Sequence, residues 1–382
     1  METKIYRGRG DGIDREDYLD FINYVFGFNG SDDDFQKLLP KLYKPEYSPC
    51  GNSYVVTEDG KLRAAVGVFV REQSVCGEWL SVHGVGNVAV HPYARSRGYM
   101  RELMHMAVDD MIASGADYSD LGGRRQRYGY FSYESAEPVW EFTIDQTNAR
   151  HCFRDMPPRE IAFREVTDPD DPALDRMVAL HEKQPLYMKR DRAAFLDICR
   201  SWGRKLYEIT DGSYGFAGYR IGEMDELLLA DESDFYAVVR AYLADHRDMR
   251  LAVPLYNTDR IAAASLICEH SSLHDGAKCT VFHFEKVVRA FLNLKARSLP
   301  NTMCDGALTV LVHGIAGDER FTITLRDGVP TVEKSDKTPD MVLEHKEAVA
   351  FFFGVMSPER MKNACAAAWF PLPMHEDGAD HV

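Results

Sequence analysis

Several features that mark secreted, metal-binding or membrane proteins are absent from these 382 residues. The eight cysteines are scattered without a Cys-x-x-Cys pair, which argues against a disulfide framework and against a zinc site. No apolar run approaches the roughly 18 residues that a transmembrane helix requires, and the N-terminal residues are charged where a signal peptide would be apolar. We therefore expect a cytoplasmic protein that uses no metal and inserts into no membrane.

The chain also lacks an excess of positive charge. Its 45 lysines and arginines stand against 60 aspartates and glutamates, for a formal net charge of −15. A nucleic-acid-binding protein needs a basic face to displace counterions, so this balance argues against nucleic acid as a partner. Acidic surfaces concentrate cations, which suits a cationic substrate, although solubility explains the same charge equally well.

The hydrophobic pattern divides the chain into three segments, as expected for a length that exceeds a single core. Residues 151–280 weakly repeat the order of strands and helices seen in residues 1–150, and residues 281–382 form a smaller mixed segment. In this last segment Ser357-Pro358 is a favourable helix start and predicts a helix through residue 370. We predict a mixed α/β and α+β fold with these three domains.

One stretch of the first segment carries a binding chemistry. A strand pattern ends at Val90, a loop with Arg95, Arg97 and Gly98 follows, and a helix pattern extends from Tyr99 to Ser114. Amide groups at a helix start bind anions, a glycine lets a diphosphate approach the backbone, and arginines add charge. The loop has neither a Walker nor a Rossmann glycine motif, which argues against an ordinary nucleotide-binding loop.

Residues 95–100, Arg-Ser-Arg-Gly-Tyr-Met, resemble motif A of the Gcn5-related N-acetyltransferases (GNAT), with Met100 in place of a small residue. The resemblance implies an N-acetyltransferase that uses acetyl-CoA, whose pantetheine pairs with the exposed edge of the strand before the loop. The basic run that begins at Arg124 is either a phosphate contact or a solvated turn. The cofactor residues implied are Val88, Ala89, Val90, Arg95, Ser96, Arg97, Gly98, Tyr99, Met100, Arg101, Gly123 and Arg124.

A second segment narrows the family. Residues 128–134, Tyr-Gly-Tyr-Phe-Ser-Tyr-Glu, resemble the Tyr-Gly-x-Phe-Gly-Tyr segment of the Eis-type (enhanced intracellular survival) acetyltransferases, with Ser132 in place of a glycine. The resemblance implies tandem GNAT domains, the second degenerate, followed by a domain similar to sterol carrier protein. Because relatives are hexameric, it also implies a homo-oligomer, up to a hexamer.

The second copy can be checked for a cofactor loop of its own. After the strand pattern 226–230, the loop 231–234 reads Asp-Glu-Ser-Asp and has three carboxylates, no glycine and no arginine. Such a loop would repel a diphosphate, so we predict a single cofactor site per chain.

The resemblance also assigns catalytic roles. Tyr128 would be the general acid for the departing CoA sulfur, since a tyrosine is protonated at neutral pH. The carboxylate of Val382 would reach back into the pocket as general base, although members of this family commonly end in phenylalanine. His83, His375 and His381 are alternative bases, and a frayed chain end is the structural alternative for Val382.

The first helices of this fold border the acceptor side, and aromatic faces with carboxylates suit polycationic amines. The predicted acceptor wall is Tyr24, Phe26, Asp32, Asp33, Asp34 and Phe35, with a solvated acidic loop as the alternative. We expect the acceptor to be a primary amine of a cationic small molecule, a lysine side chain or a peptide. The competing hypothesis is a CoA- or lipid-binding protein on the same scaffold that transfers no acetyl group.

Overall fold

The computed structural model describes residues 3–28, 30, 34–212, 214–299 and 303–382. The two acidic positions Asp32 and Asp33 of the predicted acceptor wall lie outside these residues. Up to residue 152 the described elements are β1 (Ile5–Arg9), α1 (Arg15–Phe28), α2 (Phe35–Leu38), α3 (Pro40–Tyr43), β2 (Ser53–Glu58), β3 (Lys61–Val75), β4 (Glu78–Val90), α4 (Tyr99–Ala113), β5 (Tyr118–Leu121), α5 (Arg125–Tyr128), β6 (Glu134–Asp145) and α6 (Gln146–Cys152).

The middle part of the chain again mixes strands with helices, and its elements are shorter. They are β7 (Ile161–Glu165), α7 (Ala173–His181), β8 (Leu186–Met188), α8 (Phe195–Arg200), β9 (Leu206–Asp211), β10 (Gly215–Ile221), β11 (Glu226–Leu229), α9 (Phe235–Asp245), β12 (Asp248–Pro254), α10 (Thr258–Ser265) and β13 (His270–Val281).

The last part begins with a long amphipathic helix and ends in a tail without regular structure. Its elements are α11 (Phe284–Ser298), β14 (Gly306–Gly314), β15 (Gly317–Arg326), β16 (Val329–Lys334), β17 (Met341–Glu344), α12 (His345–Phe353) and α13 (Ala364–Trp369). Apolar residues of α11 recur at helical spacing and are buried, so this helix packs one face against the core. None of the described helices combines the length and the apolar character that crossing a membrane would take.

A nine-stranded sheet, here called the central sheet, contains strands from the first three quarters of the chain. Its order is β1-β2-β3-β4-β5-β13-β6-β12, and β8 pairs with β3. The late strand β13 is inserted antiparallel between β5 and β6. Residues 1–150 therefore do not complete their own sheet. The sequence prediction of a mixed α/β fold is confirmed.

Two four-stranded sheets accompany the central sheet, in the orders β11-β10-β9-β7 and β16-β15-β14-β17. The apolar residues of α11, β14, β15 and α12 form a continuous core with residues of β3 and β4 from the central sheet. Phe370, Leu372 and Met374 of the C-terminal tail belong to the same core. The beginning of the tail is therefore anchored by burial of apolar side chains.

Candidate active site

The parallel strands β4 and β5 pair over a short distance and then diverge. Val82 to Val85 of β4 lie opposite Tyr118 to Leu121 of β5. Beyond Val85, β4 continues to Val90 beside β3, with a register shift near Asn87, whose φ is +51°. Among the described strands, none pairs with the other edge of β4 after Val85. This stretch of β4 therefore presents free backbone groups that an extended ligand can pair with.

The helix α4 begins immediately beside this opening. Gly98 precedes its first residue with φ +83° and ψ 0°, a left-handed conformation that favours glycine. The amide groups of the first turn have no partner within the helix and point towards its N-terminal end. Together with the helix dipole they form a site for an anion such as a diphosphate.

A cavity of about 900 Å³ lies between this helix start, α1 and the turn after β5. Nine of the predicted cofactor residues line it. Further lining residues that the prediction did not include are Arg127, Tyr130 and Phe131, among others. The predicted residues that line it are Val88, Val90, Arg95, Ser96, Gly98, Tyr99, Met100, Arg101 and Arg124. Arg124 and Arg127, which follow β5, therefore line the same cavity as the predicted phosphate loop.

Three predicted cofactor residues do not line this cavity. The Ala89 side chain is buried in the core on the α1 side of the sheet. Arg97 pairs with Glu58 and donates to the Tyr93 carbonyl at 3.3 Å. A Cβ on Gly123 would lie 2.5 Å from the Tyr128 ring, so this glycine provides space for that ring.

Tyr128 ends the short helix α5 and is 6% exposed. Burial raises the pKa of its hydroxyl above the ordinary value, and the neighbouring Arg127 opposes this shift. The phenol is therefore protonated at neutral pH, as a proton donor must be. Tyr128 does not line the 900 Å³ cavity, but it belongs to the same apolar cluster as Phe131, which does.

The C-terminal residue, Val382, lies against the central sheet at the point where β4 and β5 diverge. A Cβ built on Gly86 would lie 3.1 Å from the terminal carboxyl carbon, and one on Gly84 would lie 2.6 Å from Val382 Cγ2. Val382 also lines a small cavity of about 50 Å³ with Leu121, the last residue of β5, and Gly122 directly after it. The chain end is thus placed beside the opening in the sheet.

Polar side chains from distant parts of the chain hold the last residues of the tail, 375–382, in this position. Lys41 donates to the carbonyls of Ala379 and His381 at 2.6 and 2.7 Å. Arg190 is fully buried between Asp380 and Glu226, with contacts of 2.7 Å to each. Among the described residues before the tail, the side chains that donate to residues 375–382 are those of Lys41, Arg71, Gln73, Arg190, Trp202 and Arg204.

Three buried carboxyl groups meet next to the tail. One carboxyl oxygen from each of Asp120, Glu137 and Glu376 lies within 4.8 Å of the other two. Arg71 donates to both oxygens of Asp120 at 2.6 Å and pairs with Glu376, so its guanidinium neutralises part of this charge. Burial and the nearby Asp120 raise the pKa of Glu137 to about 7, which favours its neutral form.

The alternative bases differ in their surroundings. Burial lowers the pKa of His381 to about 4, and its Nε2 has no hydrogen-bond partner among the described residues. Burial and the charge of Arg71 also lower the pKa of His83. For His375 burial acts in the same direction, but the adjacent Asp377 outweighs it and raises the pKa. His381 is the one of the three that lines the small cavity with Val382.

The described residues of the predicted acceptor wall differ in their contact with the 900 Å³ cavity. Phe26 lines the 900 Å³ cavity, whereas Phe35 is buried and Asp34 caps α2 by accepting from the Gln36 amide. Tyr24 is 46% exposed and lies 5.3 Å from the ring of His91. Only Phe26 is therefore in contact with the cavity.

The loop before α9, which follows β11, differs from the loop before α4. Its acidic residues are paired within the protein: Glu232 contacts Arg260 at 2.5 Å and Asp234 contacts Arg159 at 2.7 Å. The helix α9 begins after Asp234 without a glycine. A diphosphate at this position would meet carboxylates where α4 offers amides and arginines.

This combination of a diverging parallel strand pair, a glycine before the following helix and a large adjacent cavity defines the class of protein. Residues 12–136 match the family model described as acetyltransferase (GNAT) domain. Residues 12–136 are therefore a GNAT acetyltransferase domain, and the sequence prediction of this enzyme class is confirmed. Domains of this family use acetyl-CoA as co-substrate.

Solved structures with similar folds extend over nearly the whole chain. Eis1 from Mycobacterium abscessus superposes with a TM-score of 0.63 at 16% identity, covering 98% of this chain and 97% of the other. A GCN5-related N-acetyltransferase from Anabaena variabilis gives 0.64 at 13% identity with 98% of both chains covered. One from Kribbella flavida gives 0.57 at 15% identity, covering 92% of this chain and 88% of the other. No curated protein sequence matches the chain significantly. At identities this low, the superpositions establish the fold alone. The shared fold agrees with the predicted resemblance to Eis-type enzymes.

Proposed function

We propose that the protein transfers the acetyl group of acetyl-CoA to a primary amine of a cationic small molecule, a lysine side chain or a peptide. The observation that carries this proposal is the position of the Val382 carboxyl group at the opening between β4 and β5. The cofactor occupies the 900 Å³ cavity, with its diphosphate on the amides that begin α4.

Each catalytic group has one task in this proposal. The Val382 carboxylate accepts the proton of the acceptor ammonium, directly or through a water molecule. The neutral amine then attacks the thioester carbon, so that a C–N bond forms, the nitrogen loses its extra proton to solvent and the C–S bond breaks. Tyr128 donates its hydroxyl proton to the departing sulfur and regains one from solvent.

The polar groups around the chain end provide hydrogen-bond acceptors for a cationic amine. The small cavity at Val382 shares Gly276 and His381 with a second cavity of about 360 Å³. Carboxyl oxygens line that second cavity and can accept hydrogen bonds from the ammonium groups of a ligand. The carboxyl groups are those of Glu137, Glu141, Asp225 and Glu376, and the nitrogen-bearing side chains are those of Arg204, Arg250, His375 and His381.

The decisive experiment is release of CoA thiol from acetyl-CoA with a panel of amines: a polyamine, an aminoglycoside and a lysine peptide. We expect amine-dependent release by the unaltered chain. A chain extended by one glycine, which moves the terminal carboxylate, should lose most of this activity yet still bind acetyl-CoA in calorimetry. Binding without release on any amine would instead support the alternative, a CoA- or lipid-binding protein.

The remaining parts of the chain complete the proposal. Residues 151–280 act as a degenerate second GNAT domain without a cofactor of its own, as the paired acidic residues before α9 support. Residues 281–382 form a domain similar to sterol carrier protein, which delivers the chain end to the site. We also propose a homo-oligomer, up to a hexamer, which light scattering of the purified protein tests.

A further inference from the structure

The chain end lies against one face of β4, at two positions where the strand has glycines and no side chain projects. Gly84 and Gly86 alternate with Val85 and therefore point to the same face of the central sheet. A Cβ on Gly84 would lie 2.6 Å from both Val382 Cγ2 and Arg71 Nη2. One on Gly86 would lie 3.1 Å from the terminal carboxyl carbon and 3.4 Å from its oxygen. Any side chain at either position would occupy space that the chain end now fills.

Backbone conformation does not account for these two glycines. Neither has a positive φ, and both pair with β3 before the register shift, Gly84 with Phe69 and Gly86 with Gly67. A glycine inside a strand weakens the strand and often marks the close approach of another backbone or a ligand. Here the approaching group is the terminal residue of the same chain.

Arg71 of the neighbouring strand β3 borders the space over Gly84 and Gly86 that the chain end fills, here called the seat. Its guanidinium donates to both oxygens of Asp120 at 2.6 Å and to the Asp380 carbonyl at 3.1 Å, and it pairs with Glu376. It thereby joins the end of β5 to two points of the tail. The side chain is nearly buried, so these contacts are shielded from solvent.

We infer that Gly84 and Gly86, together with Arg71, are positioning residues that set the location of the terminal carboxylate for catalysis. This inference rests on the proposed function of Val382 as the base. The seat is at Gly84 and Gly86 of β4, whereas the residues of β4 that line the 900 Å³ cavity are Val88 and Val90. Filling the seat therefore displaces the base and leaves the cofactor site in place.

The test compares Gly86→Ala and Gly84→Ala with Gly12→Ala, a control at which an added Cβ meets nothing within 4 Å. Displacement of a catalytic group by about 1 Å costs roughly 100-fold in rate. The added Cβ of Gly86→Ala would lie 3.1 Å from the terminal carboxyl carbon and requires a smaller movement. We therefore expect kcat to fall about tenfold, with a KM for acetyl-CoA within about twofold of the unaltered chain. Gly12→Ala should match the unaltered chain in both.

The second arm repeats Gly86→Ala in a chain that lacks Val382. There the clash no longer exists, so the substitution should change kcat by less than about twofold, as expected of two groups that act as a unit. A purely structural defect would lower kcat in both chains. If loss of Val382 abolishes activity while Gly86→Ala and Gly84→Ala remain fully active, the inference is wrong and the proposed function stands. Full activity without Val382 removes the proposed base itself.

A third arm needs no activity. Carboxypeptidase should release Val382 slowly from the unaltered chain and at least about tenfold faster from Gly86→Ala, because a displaced end spends more time exposed. Intact mass reports the release, and calorimetry with CoA on the same samples verifies that the first domain is folded. Equal release rates for both chains would overturn the inference.

Discussion

Two arginines of the phosphate loop stand two positions apart and have different surroundings. Arg95 lines the cofactor cavity and its guanidinium lies 5.4 Å from the Phe28 ring centroid, whereas Arg97 pairs with Glu58 outside the cavity. We expect Arg95→Ala to raise the Kd for CoA about tenfold, the effect of losing a charge-assisted hydrogen bond. Arg97→Ala should change it by less than about threefold, since this side chain pairs with Glu58 and does not line the cavity. Calorimetry with CoA distinguishes the two, and equal effects would contradict the placement of the diphosphate.

Tyr128 permits a test of the general acid at the scale of a single oxygen atom. Tyr128→Phe removes the hydroxyl and keeps the ring that packs on Gly123, so we expect kcat to fall about 100-fold with little change in stability. Because burial raises the pKa of this phenol, its protonation should not limit the rate between pH 6 and about 9. Tyr214→Phe, at a tyrosine that is 82% exposed, is the control. Steady-state kinetics in which both variants retain the same kcat would exclude Tyr128 as the acid.

At the scale of elements, the start of α4 depends on the backbone of Gly98. Its φ of +83° is unfavourable for any residue with a Cβ, and the nearest atom to an added Cβ is Arg101 Nη2 at 3.8 Å. Gly98→Ala should therefore act through backbone strain, lowering the free energy of unfolding by about 1 kcal/mol and weakening CoA binding. Denaturant titration measures the first effect and calorimetry the second. Gly27→Ala, where no atom lies within 4 Å of the added Cβ, should leave CoA binding unchanged, and the same result for Gly98→Ala would contradict this role.

The strand, loop and helix around Val90 could be predicted from the sequence because each is a local pattern. The helix predicted from Tyr99 to Ser114 is α4, Tyr99–Ala113, in the structure. The helix predicted from Ser357 to residue 370 is instead divided at Asn363. The side chain of this residue accepts from the Ala366 amide and starts α13 as a new helix, after a 3₁₀ turn at Pro358–Lys362.

At the scale of the whole molecule, the features that complete the site join residues far apart in the chain. The insertion of β13 between β5 and β6 and the contact of Val382 with Gly86 depend on tertiary pairing, which no local pattern encodes. The family resemblance alone suggested that the chain end reaches back. The sequence contained one usable signal, since closely spaced glycines inside a strand pattern indicate a close approach of another chain segment.

The buried ion pairs of the tail make its position a matter of global stability. Arg190 and Asp380 are both nearly inaccessible, so Asp380→Asn leaves a buried guanidinium with Glu226 at 2.7 Å and the more distant Asp377 at 4.0 Å as carboxylate partners. Breaking a buried pair costs about 3 kcal/mol, and we expect that loss in the free energy of unfolding. Asp175→Asn is the control, because its pair with Arg192 is largely exposed and should contribute less than about 1 kcal/mol.

The pH dependence of this loss follows from the pKa of Asp380. Burial alone would raise that pKa, but the facing Arg190 outweighs it and holds it below the ordinary value. The ionised carboxylate therefore stabilises the fold above the unfolded pKa of about 3.9, and the stabilisation disappears as the pH falls through the folded pKa. The difference between the unaltered chain and Asp380→Asn should be full at pH 7 and shrink on acidification below about pH 4. A difference that is small at pH 7, or that grows in acid, would mean that Arg190 does not hold the tail through this carboxylate.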